Sequence, residues 1–349
     1  MFSFFKSSLR LIMTRNTLSL VQREASAMIK CAILDDYQNV ASRMADWSSV
    51  ANRVAVTSHQ EHFKTEDELI RAVTDSEIIV IMRERTPFSA AIFNRLPNLK
   101  LLITSGMRNA AIDFNAASEH GVIVCGTASY SEPPVELTWG LIHALARNIV
   151  EENNAMRAGR WQSMIGTDLK GKQLGILGLG KTGAQVARVG KAFGMNVVAW
   201  SQNLTQEIAA AEGVQLAPSK NSLLENSDFI SVHLVSSPRT KNLIDQEDFQ
   251  RMRKSSYLIN TSRADIVNQA ALIDALQNKK IAGAAADVFE IEPLPQSHPF
   301  RTLPNFIATP HIGYVTERNY QAYFGEAVEN ISAYLNGSLV RQLNNAFRP

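Results

Sequence analysis

From Cys31 to Cys125 the chain alternates short apolar runs with longer segments whose apolar residues recur every three or four positions. The runs "CAIL", "VAVTS", "IIVIM", "LLIT" and "VIVC" are rich in β-branched residues and short, which predicts buried strands. Between them, "TEDELIRAV" carries Thr65 and Glu68 at capping-box spacing, and "SAAIFNRL" stops at Pro97; both predict helices. Strands alternating with helices predict a parallel sheet covered on both faces.

The rhythm then restarts. "SEPPVELTWGLIHALARNIVEENNAMRAG" predicts one long helix, with prolines near its first turn and Gly159 near its end. After it come "KQLGILGLG", "NVVAW", "VQL", "DFISVHL", "SYLINTS", "IAGAAADV" and "FIATP", a second strand series separated by helical lengths. "ERNYQAYFGEAVENISAYLNGS" predicts a closing amphipathic helix with Gly337 as its stop. Two complete series predict an α/β chain of two doubly wound domains. No Gly/Ser-rich or Pro-rich linker divides them, so ordered helices are expected at the junctions.

Composition narrows the classes. At 349 residues, with 45% hydrophobic and 19% charged, the chain is long enough for two cores and ordinary for a globular protein. A net charge of +2 offers no basic excess for nucleic acid. Cys31 and Cys125 form no CxxC pair, which argues against a disulfide scaffold or thiolate zinc site and fits a reducing compartment. There is no HExxH, so no metal is expected, and no apolar run long enough to span a bilayer. Residues 1–29 read as an extension. It carries Lys6, Arg10, Arg15 and Arg23 with no acid before Glu24, a composition similar to a mitochondrial transit peptide. The other reading is a disordered extension or upstream start, with Met28 as the natural beginning. The expected location is the cytoplasm, or the mitochondrial matrix if that segment is targeting.

The chemistry begins at "GILGLGKTG". Gly178, Gly180 and Gly183 form G-x-G-x-x-G after a strand and at the opening of a helix, with Lys181 and Thr182 inside the turn. The first glycine permits the turn and the second admits the pyrophosphate to the backbone amides. The third lets helix and strand pack closely, aiming the helix N-terminus at the phosphates. A nicotinamide dinucleotide, NAD or NADP, is expected. About 20 residues on, such folds place an acid on the ribose; here Ser201 and Gln202 stand at the strand's end. A carboxylate there would repel a 2′-phosphate by roughly 4 kcal/mol at about 4 Å and an effective dielectric near 20. Ser201 removes that repulsion, yet no Arg follows in "SQNLT", and Lys181 is the nearest cation in sequence. NAD and NADP both stay open.

Three more stretches matter: "NTSRADIVN" with Thr261 and Arg263, "DVFEIEPLP" with Asp287 and Glu292, and "TPHIG" with His311. Taken singly, His311 could cap a strand end, Arg263 could pair at the surface and Glu292 could cap a turn. Together with the glycine turn, in this order, they resemble the D-isomer-specific 2-hydroxyacid dehydrogenase family over Lys30 to Arg341. The resemblance implies hydride transfer between NAD(P)H and a small 2-keto/2-hydroxy acid. His311 would be the acid/base, with Glu292 holding its ring, and Arg263 would bind the substrate's carbonyl and carboxylate with parallel hydrogen bonds. Asp287 would accept from the nicotinamide carboxamide, and Thr261, Arg263 and Val235 would join the cofactor contacts. It also implies a flavodoxin-like substrate domain, residues 30–128 plus 312–349, and a Rossmann NAD(P)-binding domain, residues 129–311. The site would lie in a cleft between them, and a homodimer would form through the helix beginning near Ser131. A rival reading keeps the fold as a cofactor-sensing scaffold without turnover.

The substrate loop would be Ser105, Gly106, Met107 and Arg108, within "TSGMRNAAID". The family pattern has two glycines separated by one residue, presenting amides to the substrate carboxylate. Arg108 stands at the second, which suggests a substrate with an additional anionic group; Arg83 and Arg85 are weaker candidates for that role. Ala264, where the family has Gly, and Val235, where it has Pro, are small departures. His233 reads as a lining of the cofactor cleft, His298 as structural and His143 as a core residue.

Overall fold

The computed structural model describes residues 28–346. Residues 1–27 of the N-terminal extension, with both readings of it, lie outside the described residues, and the expected boundary at residue 29 falls too late, because Ile29 already opens the first strand. The chain divides into two compact units, Met1–Ser129 with Gln321–Pro349, and Tyr130–Tyr320. Sequence reasoning drew the second junction after His311; the structure draws it inside the helix Glu317–Leu335.

The first unit holds strands β1 (Ile29–Ile33), β2 (Val54–Ser58), β3 (Ile78–Ile81), β4 (Leu101–Thr104) and β5 (Ile123–Cys125). They pair in parallel in the order β2-β1-β3-β4-β5, the flavodoxin-like arrangement. β3 and β4 are buried at every position, as expected of strands covered on two faces. The returning C-terminal segment is tied in by polar bonds. Asn330 Nδ2 donates to the Gly126 carbonyl at 2.9 Å, the Ala128 N–H donates to the Glu326 carboxylate at 2.7 Å, and Arg53 donates to the Leu335 carbonyl at 3.0 Å.

The second unit holds β6 (Gln173–Leu177), β7 (Asn196–Trp200), β8 (Gln215–Leu216), β9 (Phe229–Val232), β10 (Tyr257–Asn260), β11 (Gly283–Ala286) and β12 (Phe306–Ala308). All pair in parallel, in the order β12-β11-β10-β9-β6-β7-β8. This is the dinucleotide-binding order, extended by one strand. Alternate residues feed two cores. Leu174, Ile176, Phe229 and Ile259 meet the helix Glu132–Ala146 on one face, while Leu177, Ile230, Val232 and Leu258 pack with Leu223, Phe249 and Leu272 on the other. The order reverses between β6 and β9, the switch point beside which such sheets bind ligands at their carboxyl ends.

Two local expectations change. The long helix is two, Glu132–Ala146 and Ile149–Arg157, because Asn148 adopts φ 50°, a left-handed conformation that Asn tolerates better than most side chains. At Thr65 only half of the capping box forms. Thr65 Oγ1 accepts from the Glu68 N–H at 3.2 Å, but the Glu68 carboxylate takes the N–H of Lys64 rather than that of Thr65. The reciprocal box occurs instead at Asp245 and Asp248.

Candidate functional site

Gly178 follows directly on β6 with φ 99°, and its N–H donates to the Trp200 carbonyl at 2.9 Å, joining the ends of β6 and β7. A Cβ there would stand 2.8 Å from the His233 carbonyl, so β9 also closes on this turn. A Cβ on Gly183 would drive into the Gly178 carbonyl, whereas one on Gly180 would meet nothing within 4 Å. Two glycines are therefore needed for backbone packing and the third faces open space. Gly180 caps the helix Lys181–Ala192, whose first amides and exposed Lys181 front that space with Thr182. A free helix N-terminus behind a glycine with room before it fits a pyrophosphate.

Beside this corner lies a cavity of about 340 Å³ lined by Trp200, Ser201, Gln202, Leu234, Val235 and Arg239, among others. Ser201 lines this cavity just beyond the carboxyl end of β7. Arg239 was missed in the sequence because it sits far beyond "SQNLT"; only the approach of the loop after β9 to the loop after β7 brings it there.

The other candidate residues gather at the carboxyl ends of adjacent strands. β10, β11 and β12 pair in register, Asn260 opposite Ala286 and Ala286 opposite Ala308. Strand spacing is about 4.8 Å, so the residues just beyond these positions emerge side by side: Thr261 and Arg263, Asp287, and His311. Arg263 is held in extended backbone, its Nη1 donating to the Ser262 carbonyl at 2.8 Å and its own carbonyl accepting from Asn260 Nδ2 at 2.9 Å. Thr261 Oγ1 lies 2.7 Å from Thr138 Oγ1. Thr138 gives its proton to the Pro134 carbonyl at 2.8 Å, so Thr261 is the donor in that pair.

His311 Nδ1 lies 2.6 Å from Glu292 Oε2, and Glu292 Oε1 accepts from the Phe289 N–H at 2.8 Å. A carboxylate only accepts, so Nδ1 carries a proton and Nε2 is the nitrogen left for chemistry. The ring packs edge-on against Tyr314, and His311 itself has φ 52°. Asp287 is the anchor beneath this turn. Its Oδ1 accepts from Thr309 Oγ1 at 2.6 Å and the Ile312 N–H at 2.8 Å, and its Oδ2 accepts from the Gly313 N–H at 2.8 Å. Burial pushes the Asp287 carboxyl above the usual carboxylate range, against the pull of those bonds and of His311. One lone pair on Oδ2 is left for any further donor, so the sequence reading of Asp287 understated its hold on the His311 turn.

In the first unit the loop after β4 is built from within. Gly106 has φ 91°, and its N–H donates to Thr127 Oγ1 at 3.0 Å. A side chain at Gly106 would collide with the Arg83 guanidinium. Arg83 and the loop are locked together: Ser105 Oγ accepts from the Arg83 N–H at 2.9 Å, and buried Asn109 donates to the Arg83 carbonyl at 2.7 Å. Met107 and Arg108 are exposed at the tip. With the Gly106 amide turned inward, the positive groups of this loop are side chains, Arg83 and Arg108. Arg85 faces elsewhere, over the Tyr37 ring.

The three other histidines singled out in the sequence have local partners. His233 Nε2 lies 2.8 Å from Ser231 Oγ, and burial holds its ring down to about 4. His298 caps the short turn Pro299–Arg301, and His143 packs edge-on against Phe193. Burial pushes the Cys31 thiol up to about 12 and Cys125 to about 11, leaving both inert as nucleophiles. Among the described residues no cluster of three His, Cys, Asp or Glu could hold a metal ion, and no helix is long and apolar enough to cross a membrane.

The chain is similar to known proteins. Residues 139–313 match the family model for the NAD binding domain of D-isomer specific 2-hydroxyacid dehydrogenases. A D-3-phosphoglycerate dehydrogenase of Methanocaldococcus jannaschii is 36% identical over 284 residues, covering 80% of this chain and 54% of that protein. The chain thus spans about half the length of that relative. A glyoxylate reductase of Aeropyrum pernix is 35% identical over 73% of this chain and 78% of its own length. Among solved structures, a phosphoglycerate oxidoreductase from Vibrio cholerae superposes with a TM-score of 0.84 at 35% identity, covering 88% of this chain and 99% of that one. The cofactor is a nicotinamide dinucleotide, and the chain belongs to the D-isomer specific 2-hydroxyacid dehydrogenase family.

Proposed function

We propose that this chain is an oxidoreductase that interconverts a small 2-keto acid and its D-2-hydroxy acid with NAD(P)H. The observation that carries the reading is the 2.6 Å contact between His311 Nδ1 and Glu292 Oε2, at the same sheet edge as Arg263 and the glycine corner. The bound dinucleotide supplies or accepts the hydride. His311 Nε2 gives its proton to the substrate oxygen as the carbonyl is reduced, and Glu292 holds the ring in that tautomer and offsets the charge it carries. Arg263 polarises the carbonyl and pairs with the carboxylate through two parallel hydrogen bonds. Asp287 fixes the turn that presents the imidazole, with Oδ2 able to take the carboxamide of the cofactor as well. Thr182, Ser201, Thr261 and Val235 complete the cofactor's surroundings.

Substrate anion recognition falls to Arg263 and to the loop Ser105–Arg108. The relatives named for phosphoglycerate and for glyoxylate bracket the choice. Arg108, with the Gly106 amide already bonded to Thr127, favours a keto acid bearing a second anionic group. Oxidation of NADH and NADPH, followed against glyoxylate, pyruvate, hydroxypyruvate and a phosphorylated keto acid, tests both points. Turnover is expected, with the dianionic substrate preferred, and Arg108→Gly should remove that preference. Tight cofactor binding without turnover on any of them would return the chain to the scaffold reading.

The assembly we assign is a homodimer. Ile149, Val150, Met156, Trp161, Met164 and Ile165 leave a run of exposed apolar side chains after the helix Glu132–Ala146, with Trp161 74% and Ile165 97% exposed. Such a run is unusual on a monomer's surface.

A further inference from the structure

We propose that the cavity beside the glycine corner selects NADP(H) over NAD(H), with Arg239 as the residue that meets the 2′-phosphate. The inference deepens the cofactor reading above and rests on it.

A dinucleotide whose pyrophosphate sits at Gly180 must run its adenosine half toward the end of β7, because the turn joins β6 to β7 through the Gly178 N–H. The space there is the cavity walled by Trp200, Ser201 and Gln202 on one side and by Leu234, Val235 and Arg239 on the other. Its charge is one-sided. Among the described residues that line it, Arg239 is the single ionised side chain, and no carboxylate faces it. The position that would carry the ribose-binding acid is Ser201, which can accept from or donate to the sugar and does not repel a phosphate.

The geometry of both walls suits an anion. Leu204 N–H donates to the Ser201 carbonyl at 3.1 Å, closing a turn that puts Gln202 and Asn203 at an exposed tip, with amide side chains that can donate. Opposite, the loop bearing Arg239 is braced. Thr240 Oγ1 accepts from the Ser237 N–H at 2.8 Å and donates to the Val235 carbonyl at 2.8 Å, while the Thr240 and Lys241 N–H groups both reach the Ser237 carbonyl at 3.0 Å. Arg239 is exposed on this rigid loop and, among the described residues, has no ion-pair or hydrogen-bond partner. A guanidinium left unpaired, on a fixed backbone at the rim of a cavity without acids, is matched to a phosphate, which it can grip with two parallel bonds.

The test is calorimetric titration of the full chain with 2′,5′-ADP and with 5′-ADP, ligands that carry no nicotinamide and need no turnover. The phosphorylated ribose is expected to bind at least about tenfold more tightly, the scale of charge-assisted bonds to an anion. The ratio should shrink as salt rises. Arg239→Gln is expected to bring it below about threefold, and Ser201→Asp to invert it. Equal binding of the two ligands, or a ratio that survives Arg239→Gln, would overturn the proposal while leaving the cofactor reading in place. Failure of both ligands to bind would overturn both.

Discussion

His311 holds a backbone φ of 52°, in the left-handed region that a residue with a side chain enters only when its surroundings keep it there. The constraint is visible: Asp287 pins the N–H groups of Ile312 and Gly313, and Glu292 pins the ring. Under the proposed chemistry, His311→Asn should lower kcat by about 10²- to 10⁴-fold while cofactor affinity, read by fluorescence titration, stays close to wild type. Glu292→Gln keeps an acceptor for Nδ1 but not the charge, and a smaller loss is expected. His233 gives a different readout. Its ring is held at about 4 in the fold against an ordinary value of about 6.5 in the unfolded chain, so the unfolded state binds the proton first. The stability it leaves intact above about pH 6.5 should therefore decline as pH falls toward about 4. His233→Gln should flatten that part of a thermal-midpoint profile. The meeting of Glu292 with His311 was open to a reader of the sequence because both belong to compact motifs. Arg239 and the Asp287 anchor were not, since each depends on loops that meet only once neighbouring strands are in register.

At the scale of elements, periodicity located the strands well, because buried parallel strands leave dense β-branched runs. Junctions were harder. A helical pattern runs unbroken through "HALARNIVEEN", and only the backbone of Asn148 shows where it stops and restarts. That residue makes no side-chain capping bond, and its side-chain bond from Nδ2 to the Ile165 carbonyl, at 3.3 Å, is exposed, so its contribution is mainly conformational. Asn148→Gly should be near neutral or mildly stabilising in urea unfolding, whereas Asn148→Val should destabilise by about 1–2 kcal/mol. Similar losses for both would mean that the Asn side chain does something other than tolerate the turn. The displaced partner of Glu68 teaches the same point on a smaller scale. Spacing identified the pair, but the carboxylate found the N–H one residue earlier.

For the molecule as a whole, charge and cysteine usage excluded partners more readily than they suggested any. The exposed apolar run from Ile149 to Ile165 has no clear signature in the sequence, because its residues alternate with polar ones at irregular spacing. If it is the dimer surface, the paired change Trp161→Ser with Ile165→Asp should yield monomers in sedimentation velocity with the thermal midpoint of the isolated fold retained. A wild-type chain that sediments as a monomer would remove the assignment. The two-unit division carries one more consequence. Tyr130–Tyr320 is continuous, while the other unit draws on both ends of the chain. During synthesis the nucleotide-binding half can close its core as soon as its last strand emerges. The earlier-made half must wait, its β-sheet already translated but without Asn330 and Glu326, which later tie down Gly126 and Ala128. The part made first is the part finished last, and in the nascent protein it is where holdase chaperones would find exposed apolar surface.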